Sequence, residues 1–163
     1  MPALQDLYPD EFAHCYGCGR LNAHGLHVRT EWEGGEGVAR FHPRPEHMAM
    51  PGYVYGGLLA SLVDCHSIGT AAGAAMAAAG QRPGTDPTPR FVTASLQVDF
   101  LKPTPMGVEL ELRARALEVG ERKVIVETTV QAGTVTVVRG RTVAVRLPAA
   151  MEGGGAAGTG SGT

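Results

Sequence analysis

Residues 52–80 read GYVYGGLLASLVDCHSIGTAAGAAMAAAG, a run of small and apolar residues whose only formally charged side chain is Asp64. From Gly56 onward its length and alanine content predict one long helix, apolar around most of its circumference and so buried. A run this long also passes for a membrane span, but Asp64, His66, Ser61 and Ser67 point to the buried core of a soluble protein. A carboxylate on such a helix costs several kcal/mol of desolvation unless it is paired or protonated. Asp64 is therefore either a structural carboxylate bonded in the core or a group held there for chemistry.

The flanks change period. Before the helix, Leu26, Val28, Thr30 and Trp32 alternate with polar residues, and the glycine-rich 33–37 stretch turns the chain into a second short strand ending at Phe41. Pro43, Pro45 and Pro51 then forbid regular structure until the helix begins. After it, four period-two segments follow. Ala94, Leu96, Val98 and Phe100 share one face, and Val108 through Ala116 alternate with Glu109, Glu111, Arg113 and Arg115. Val124, Val126, Thr128 and Val130 form the third set, and Val143, Val145 and Leu147 the fourth, after a turn near Gly133. Two strands, one long helix and four strands predict an α+β fold, an antiparallel sheet of about six strands around a central helix. One helix covers such a sheet incompletely and leaves open edges, which predicts a homo-oligomer.

The boundaries expected are an arm and cysteine-containing turn over residues 1–25, the main domain over 26–147, and a flexible tail over 148–163 built from glycine, alanine, serine and threonine. In the arm, Leu4, Leu7, Tyr8 and Phe12 have the spacing to dock on the body. With 163 residues the chain is one domain rather than two, and its formal charge of -2 argues against nucleic acid or an anionic membrane as partner. Three cysteines, an odd number, and a start without a charged-then-apolar leader predict a cytoplasmic protein rather than a disulfide scaffold.

Gly56 and Gly57 fall at the helix start, where free backbone N–H groups and the positive dipole end suit a developing oxyanion. Close packing of helix on sheet is the commoner reason for such a pair, and by itself the pair is a weak signal. Gly57, Ser61, Asp64 and Ile68 lie on one stripe of the helix. Seven residues of rise put Asp64 about 10 Å from Gly57, too far for both to touch one reacting carbonyl, so if both act they come from different subunits. Cys65 and His66 point away from that stripe and read as a core thiol and a satisfied histidine.

GYVYGGLLASLVD, VTASLQVDFLKP (residues 92–103) and CYGCGRLNAHGL (residues 15–26) together resemble the hotdog-fold acyl-CoA thioesterases of the 4-hydroxybenzoyl-CoA thioesterase superfamily, in a branch with a Cys-aromatic-Gly-Cys-Gly lead-in. The family's pattern is a G-x-x-H-G-G turn, an acidic residue seven positions past the last glycine, and a strand of the V-T-x-x-L-x-V-x-F-L-x-P type. The resemblance implies an enzyme that hydrolyses an acyl-CoA thioester to an acid and coenzyme A as a homodimer or homotetramer, with no cofactor. It makes Asp64 the nucleophile or general base, Gly57 the oxyanion donor and Thr93 the hydroxyl that orients the carboxylate or water. Tyr55, Gly56 and Ser61 become substrate-binding positions. Two residues depart from the pattern: Tyr55 stands where relatives carry the histidine, and Ala49 where some carry an asparagine. Tyrosine cannot take imidazole's acid-base role at neutral pH. A ligand-binding protein without turnover is therefore an alternative, and a hydratase or dehydratase a lesser one. A zinc site would recruit Cys15 and Cys18 with two of His14, His24 and His27, but their spacing is wrong for a finger-like site, and no metal is expected. Arg90, Lys102, Arg139, Arg141 and Arg146 could meet the phosphates of coenzyme A; none is assigned.

Overall fold

The computed structural model describes residues 2–85, 87–148 and 151. The chain forms β1 (Glu31–Glu33), β2 (Glu36–Phe41), α1 (Gly56–Ala78), β3 (Phe91–Phe100), β4 (Leu110–Val119), β5 (Lys123–Ala132) and β6 (Val135–Arg146). The strands make one antiparallel sheet in the order β1-β2-β4-β5-β6-β3, wrapped on α1. This is the six-stranded antiparallel sheet around one helix that the alternating strands and the apolar helix predict, and the hotdog fold that the resemblance implies. The expected tail lies almost entirely outside the described residues.

Helix α1 is buried nearly all round. It is long and apolar enough to cross a bilayer, yet 83% of its most apolar window is buried inside the fold. Its first half packs Leu58, Leu59, Leu62 and Val63 against Leu110, Leu112, Val130 and Val138, and its second half packs Ile68, Ala71, Ala72 and Ala75 against Phe91, Val124, Val126 and Ala144. Between them Ser67 and Thr128 hydrogen-bond at 2.8 Å, so the polar residue of each element satisfies the other. Gly80 ends the helix at φ +73°, with its own N–H bonded to Ala77 and that of Gln81 to Met76, a Schellman arrangement.

The structure corrects three details. The first strand pairs only from Glu31, because the backbone before it is already engaged: Leu26 N–H bonds Tyr16, Val28 N–H bonds Gly17, and Thr30 C=O accepts from Leu4 N–H. Leu26, Val28 and Thr30 are nonetheless buried, and the docked arm contributes buried Leu4 and Tyr8.

In β6 the inward face is the opposite of the expected one. Val138, Gly140, Thr142 and Ala144 face the helix and are buried, while Val143 and Val145 are half-buried on the other face. The helix passes so close that a Cβ on Gly140 would lie 2.4 Å from Val63 Cγ1. Beyond Val138, the small residues Gly140, Thr142 and Ala144 therefore face inward and the bulkier Val143 and Val145 outward, against the usual hydrophobic pattern.

Strand β3 is an edge strand and is mostly exposed. Its pairing with β6 slips between Thr93 and Ser95, so Ala94 is a bulge residue and does not share the face of Leu96, Val98 and Phe100. Thr93 takes that place. Thr93 opposes Ala144 and Leu96 opposes Thr142, both buried under the helix, so the bulge turns the Thr93 hydroxyl inward.

Candidate functional site

The polar stripe expected along α1 is the open seam of an otherwise covered helix. Gly56, Gly57, Ser61, Asp64 and Cys65 are half-buried, whereas Leu62, Val63, His66 and Ser67 beside them are buried. Asp64 lies midway along this seam. Thr93 Oγ1 donates a hydrogen bond of 2.5 Å to Asp64 Oδ1, the pairing that the β3 bulge makes possible. Burial raises the Asp64 pKa above the ordinary carboxylate value, the Thr93 hydrogen bond partly offsets the rise, and the charge on Cys15 adds to it.

At the helix start, the N–H groups of Gly56 and Gly57 have no preceding helical turn to bond. The side chain of Tyr55, the capping residue, makes no cap hydrogen bond. Its ring instead lies against Gly57, where a Cβ would come within 2.4 to 2.8 Å of ring carbons and the hydroxyl. A side chain at position 57 would have to displace that ring. Ser61 donates its hydroxyl back to Gly57 C=O at 2.9 Å, so this group is engaged within its own helix.

Two cavities flank the helix start. One of about 410 Å³ is lined by Tyr16, Glu46, His47, Tyr55, Gly57 and Ser61. Another of about 620 Å³ is mostly apolar and includes Met50, Tyr53, Gly56, Leu59, Phe100 and Lys102. Glu46 and His47 escape a sequence reading because they sit in the proline-broken segment, where no period marks a face. Tyr55 N–H bonds His47 C=O at 2.8 Å, which folds that segment over Gly57. The His47 ring accepts from Arg44 N–H at 2.9 Å, and burial lowers its pKa.

The structure thus brings Asp64 to Thr93 and groups Tyr55, Gly56, Gly57 and Ser61 at the helix start, with the two sets on one seam of one chain. His66 belongs to neither. Its ring is fully buried, Nε2 donates to Gly37 C=O at 3.2 Å, and Nδ1 accepts from Thr30 Oγ1 at 2.9 Å, which itself accepts from Gln5 Nε2 at 2.9 Å. Burial pushes its pKa down to about 4. It is the satisfied core histidine expected. Cys65, expected as a core thiol, instead faces Cys15, with the two sulfurs 3.7 Å apart. Of the arginines and lysine considered for phosphate, Arg90 stacks over Tyr8 with 3.9 Å to the ring centroid, Arg146 Nε donates to Glu121 C=O at 2.8 Å, and Lys102 lines a cavity shared with the helix start.

The Thioesterase superfamily profile matches residues 51–139, from just before the helix into β6, and the chain belongs to that superfamily. A thioesterase superfamily protein from Shewanella loihica PV-4 is 45% identical, with a TM-score of 0.66 over 86% of this chain and 100% of that one. A Streptococcus mutans UA159 protein bound to acetyl CoA has a TM-score of 0.61 at 16% identity, covering 74% of this chain and 88% of its own. The E. coli PaaI protein from the phenylacetic acid degradation operon has a TM-score of 0.61 at 18% identity, covering 76% and 81%. The last two show a shared fold. Among curated proteins none matches the chain.

Proposed function

We propose that this chain hydrolyses an acyl-CoA thioester to a carboxylic acid and free coenzyme A, with Asp64 as nucleophile or general base. The observation that carries the reading is the half-buried Asp64 carboxylate, held by Thr93 on the open seam of the helix in a member of the thioesterase superfamily. Burial makes the carboxylate more basic, and the threonine aims it. Water adds across the thioester carbonyl, the C–S bond breaks, and the proton taken from water ends on the carboxylate or the departing thiolate. A thiolate leaves readily, so the site needs little general acid.

The backbone N–H of Gly57 serves as the oxyanion donor. It lies about 10 Å along the helix from Asp64 of the same chain, so the donor meets the carboxylate of a second copy. The exposed apolar side chains Met50, Tyr53, Tyr55, Leu96, Phe100 and Leu101 line the helix start and the β3 edge, where a second copy would cover them. The mostly apolar cavity beside Gly56 suits an acyl or pantetheine chain, with Lys102 available to phosphate. That a protein of the same fold is bound to acetyl CoA supports this ligand class.

A second reading, binding of acyl-CoA without turnover, draws on one observation: the Tyr55 ring packed on Gly57, where an oxyanion would need to approach. Thiol release across a panel of acyl-CoA substrates, measured for wild type beside Asp64→Asn, decides between them. Turnover that disappears in the variant supports hydrolysis. Binding without thiol release in the wild type favours the second reading.

A further inference from the structure

Three cysteines far apart in the chain meet at one point. Cys15 and Cys18 lie on the turn after the arm, and Cys65 lies on α1 directly after Asp64. Their sulfurs all fall within 4.8 Å of one another, the Cys15 and Cys65 sulfurs are 3.7 Å apart, and all three thiols are free. A disulfide would need about 2.05 Å. Sulfurs held about 2.3 Å from a single ion at the corners of a tetrahedron sit about 3.8 Å apart. The Cys15–Cys65 separation matches that edge, and the third sulfur lies within 4.8 Å of both.

The backbone is shaped for the convergence. Two ligands in a C-x-x-C turn is the spacing with which one turn presents two thiolates to an ion. A Cβ on Gly17, between them, would lie 2.2 Å from Cys65 Sγ, so the glycine admits the helix thiol into the concave side of the turn. The turn is pinned by Gly19 N–H to Cys15 C=O at 2.7 Å, Leu26 N–H to Tyr16 C=O at 2.8 Å and Val28 N–H to Gly17 C=O at 2.9 Å. Arg90 supplies a second, independent sign. Its guanidinium stacks on Tyr8, keeps Nε and Nη1 buried without an acceptor, and stands within electrostatic reach of Cys18. A divalent ion held by three thiolates carries a net charge of -1, which this half-buried cation would balance.

The histidines that the sequence offered are not part of this cluster. His27 Nε2 pairs with Asn22 C=O, while His14 and His24 are exposed on the turn. We propose that Cys15, Cys18 and Cys65 bind one zinc-class divalent ion as thiolates, clamping the N-terminal turn to α1 one residue from Asp64. The fourth position, on the exposed Cys15 side, is left to water or another small ligand. Thiolate donors select soft ions of this class over magnesium or calcium. Binding is not a redox step: each thiol that coordinates gives up its proton to solvent as its sulfur–metal bond forms.

The test uses the full chain, reduced, stripped with a chelator and titrated with Co²⁺ as a spectroscopic stand-in for Zn²⁺. The expected result is saturation at one Co²⁺ per chain, with intense sulfur-to-cobalt charge-transfer bands and four-coordinate d–d bands that Zn²⁺ abolishes. Cys65→Ala and Cys15→Ser should each weaken zinc binding at least 100-fold. Cys15 is exposed, so its variant tests the site even if Cys65→Ala fails to fold, and circular dichroism checks both. The proposal is overturned if the reduced wild type shows no saturable thiolate bands, or if a folded Cys65→Ala protein keeps the wild-type spectrum. Neither result depends on whether the chain is a hydrolase.

Discussion

Thr93 and Asp64 are joined at 2.5 Å across the gap between β3 and α1, hydroxyl to carboxylate. The threonine reaches the carboxylate because a bulge at Ala94 shifts the pairing of β3 with β6 by one residue. A local irregularity in an edge strand thus sets the aim of the one charged group on the helix.

Replacing Asp64 with asparagine should lower kcat by about 10²- to 10⁴-fold, the range usual for loss of a positioned base. The fold should persist. Because the folded-state pKa of Asp64 is raised, its ionised form opposes folding, and whatever it contributes to stability at low pH is lost as pH rises through that pKa. The variant should therefore be at least as stable as wild type at neutral pH, checked by thermal unfolding beside the thiol-release assay.

On the acid side, the pH–rate profile should fall at a pH above the ordinary aspartate value, since the reacting form is the carboxylate and burial disfavours it. In Thr93→Val the hydrogen bond that holds this pKa down is gone, so the acid limb should move to still higher pH, with kcat lowered by roughly 10-fold. An unmoved limb would show that Asp64 is not the group titrating.

His66 predicts an acid-labile fold. Its pKa is about 4 when buried, against 6.5 when exposed, so the unfolded chain takes up the proton first. Stability present above pH 6.5 should decline as pH falls toward 4, by up to about 3 kcal/mol, and level off below. His66→Gln should remove this component from the slope of stability against pH while lowering stability at neutral pH. Urea unfolding across that window measures both.

The contact between Val63 and Gly140 predicts coupling. Gly140→Ala places a methyl 2.4 Å from the unmutated Val63 Cγ1 and should cost about 1–3 kcal/mol. Val63→Ala alone should also destabilise, by opening a cavity. The double variant should be more stable than the sum of the two losses, because the smaller side chain receives the new methyl. Additive losses in a denaturant-unfolding cycle would contradict the packing described.

Tyr55→His should change turnover or substrate preference more than stability, since Tyr55 is 57% exposed and its hydroxyl makes no cap bond. Uncovering Gly57 should raise kcat if the tyrosine ring hinders the oxyanion. A large drop in melting temperature would show that its packing on Gly57 holds the helix start together.

Period and composition alone determined the six strands, the single helix, its burial and the seam bearing Gly57, Ser61 and Asp64, because each follows from spacing within one element. The family likeness marked Thr93, but its contact with Asp64 depends on the bulge at Ala94, which no alternation reveals. The inward face of β6 was likewise decided in three dimensions: Val63 presses on Gly140, and steric room overrode hydrophobicity in choosing which side faces the core. Cys65 read as a core thiol because Cys15 and Cys18 lie about fifty positions away, and only the arm folding back on α1 brings the three sulfurs together. Neighbours along the chain set local geometry. Which distant groups meet depends on close packing of the whole, and packing is a property of volumes that a sequence pattern does not carry.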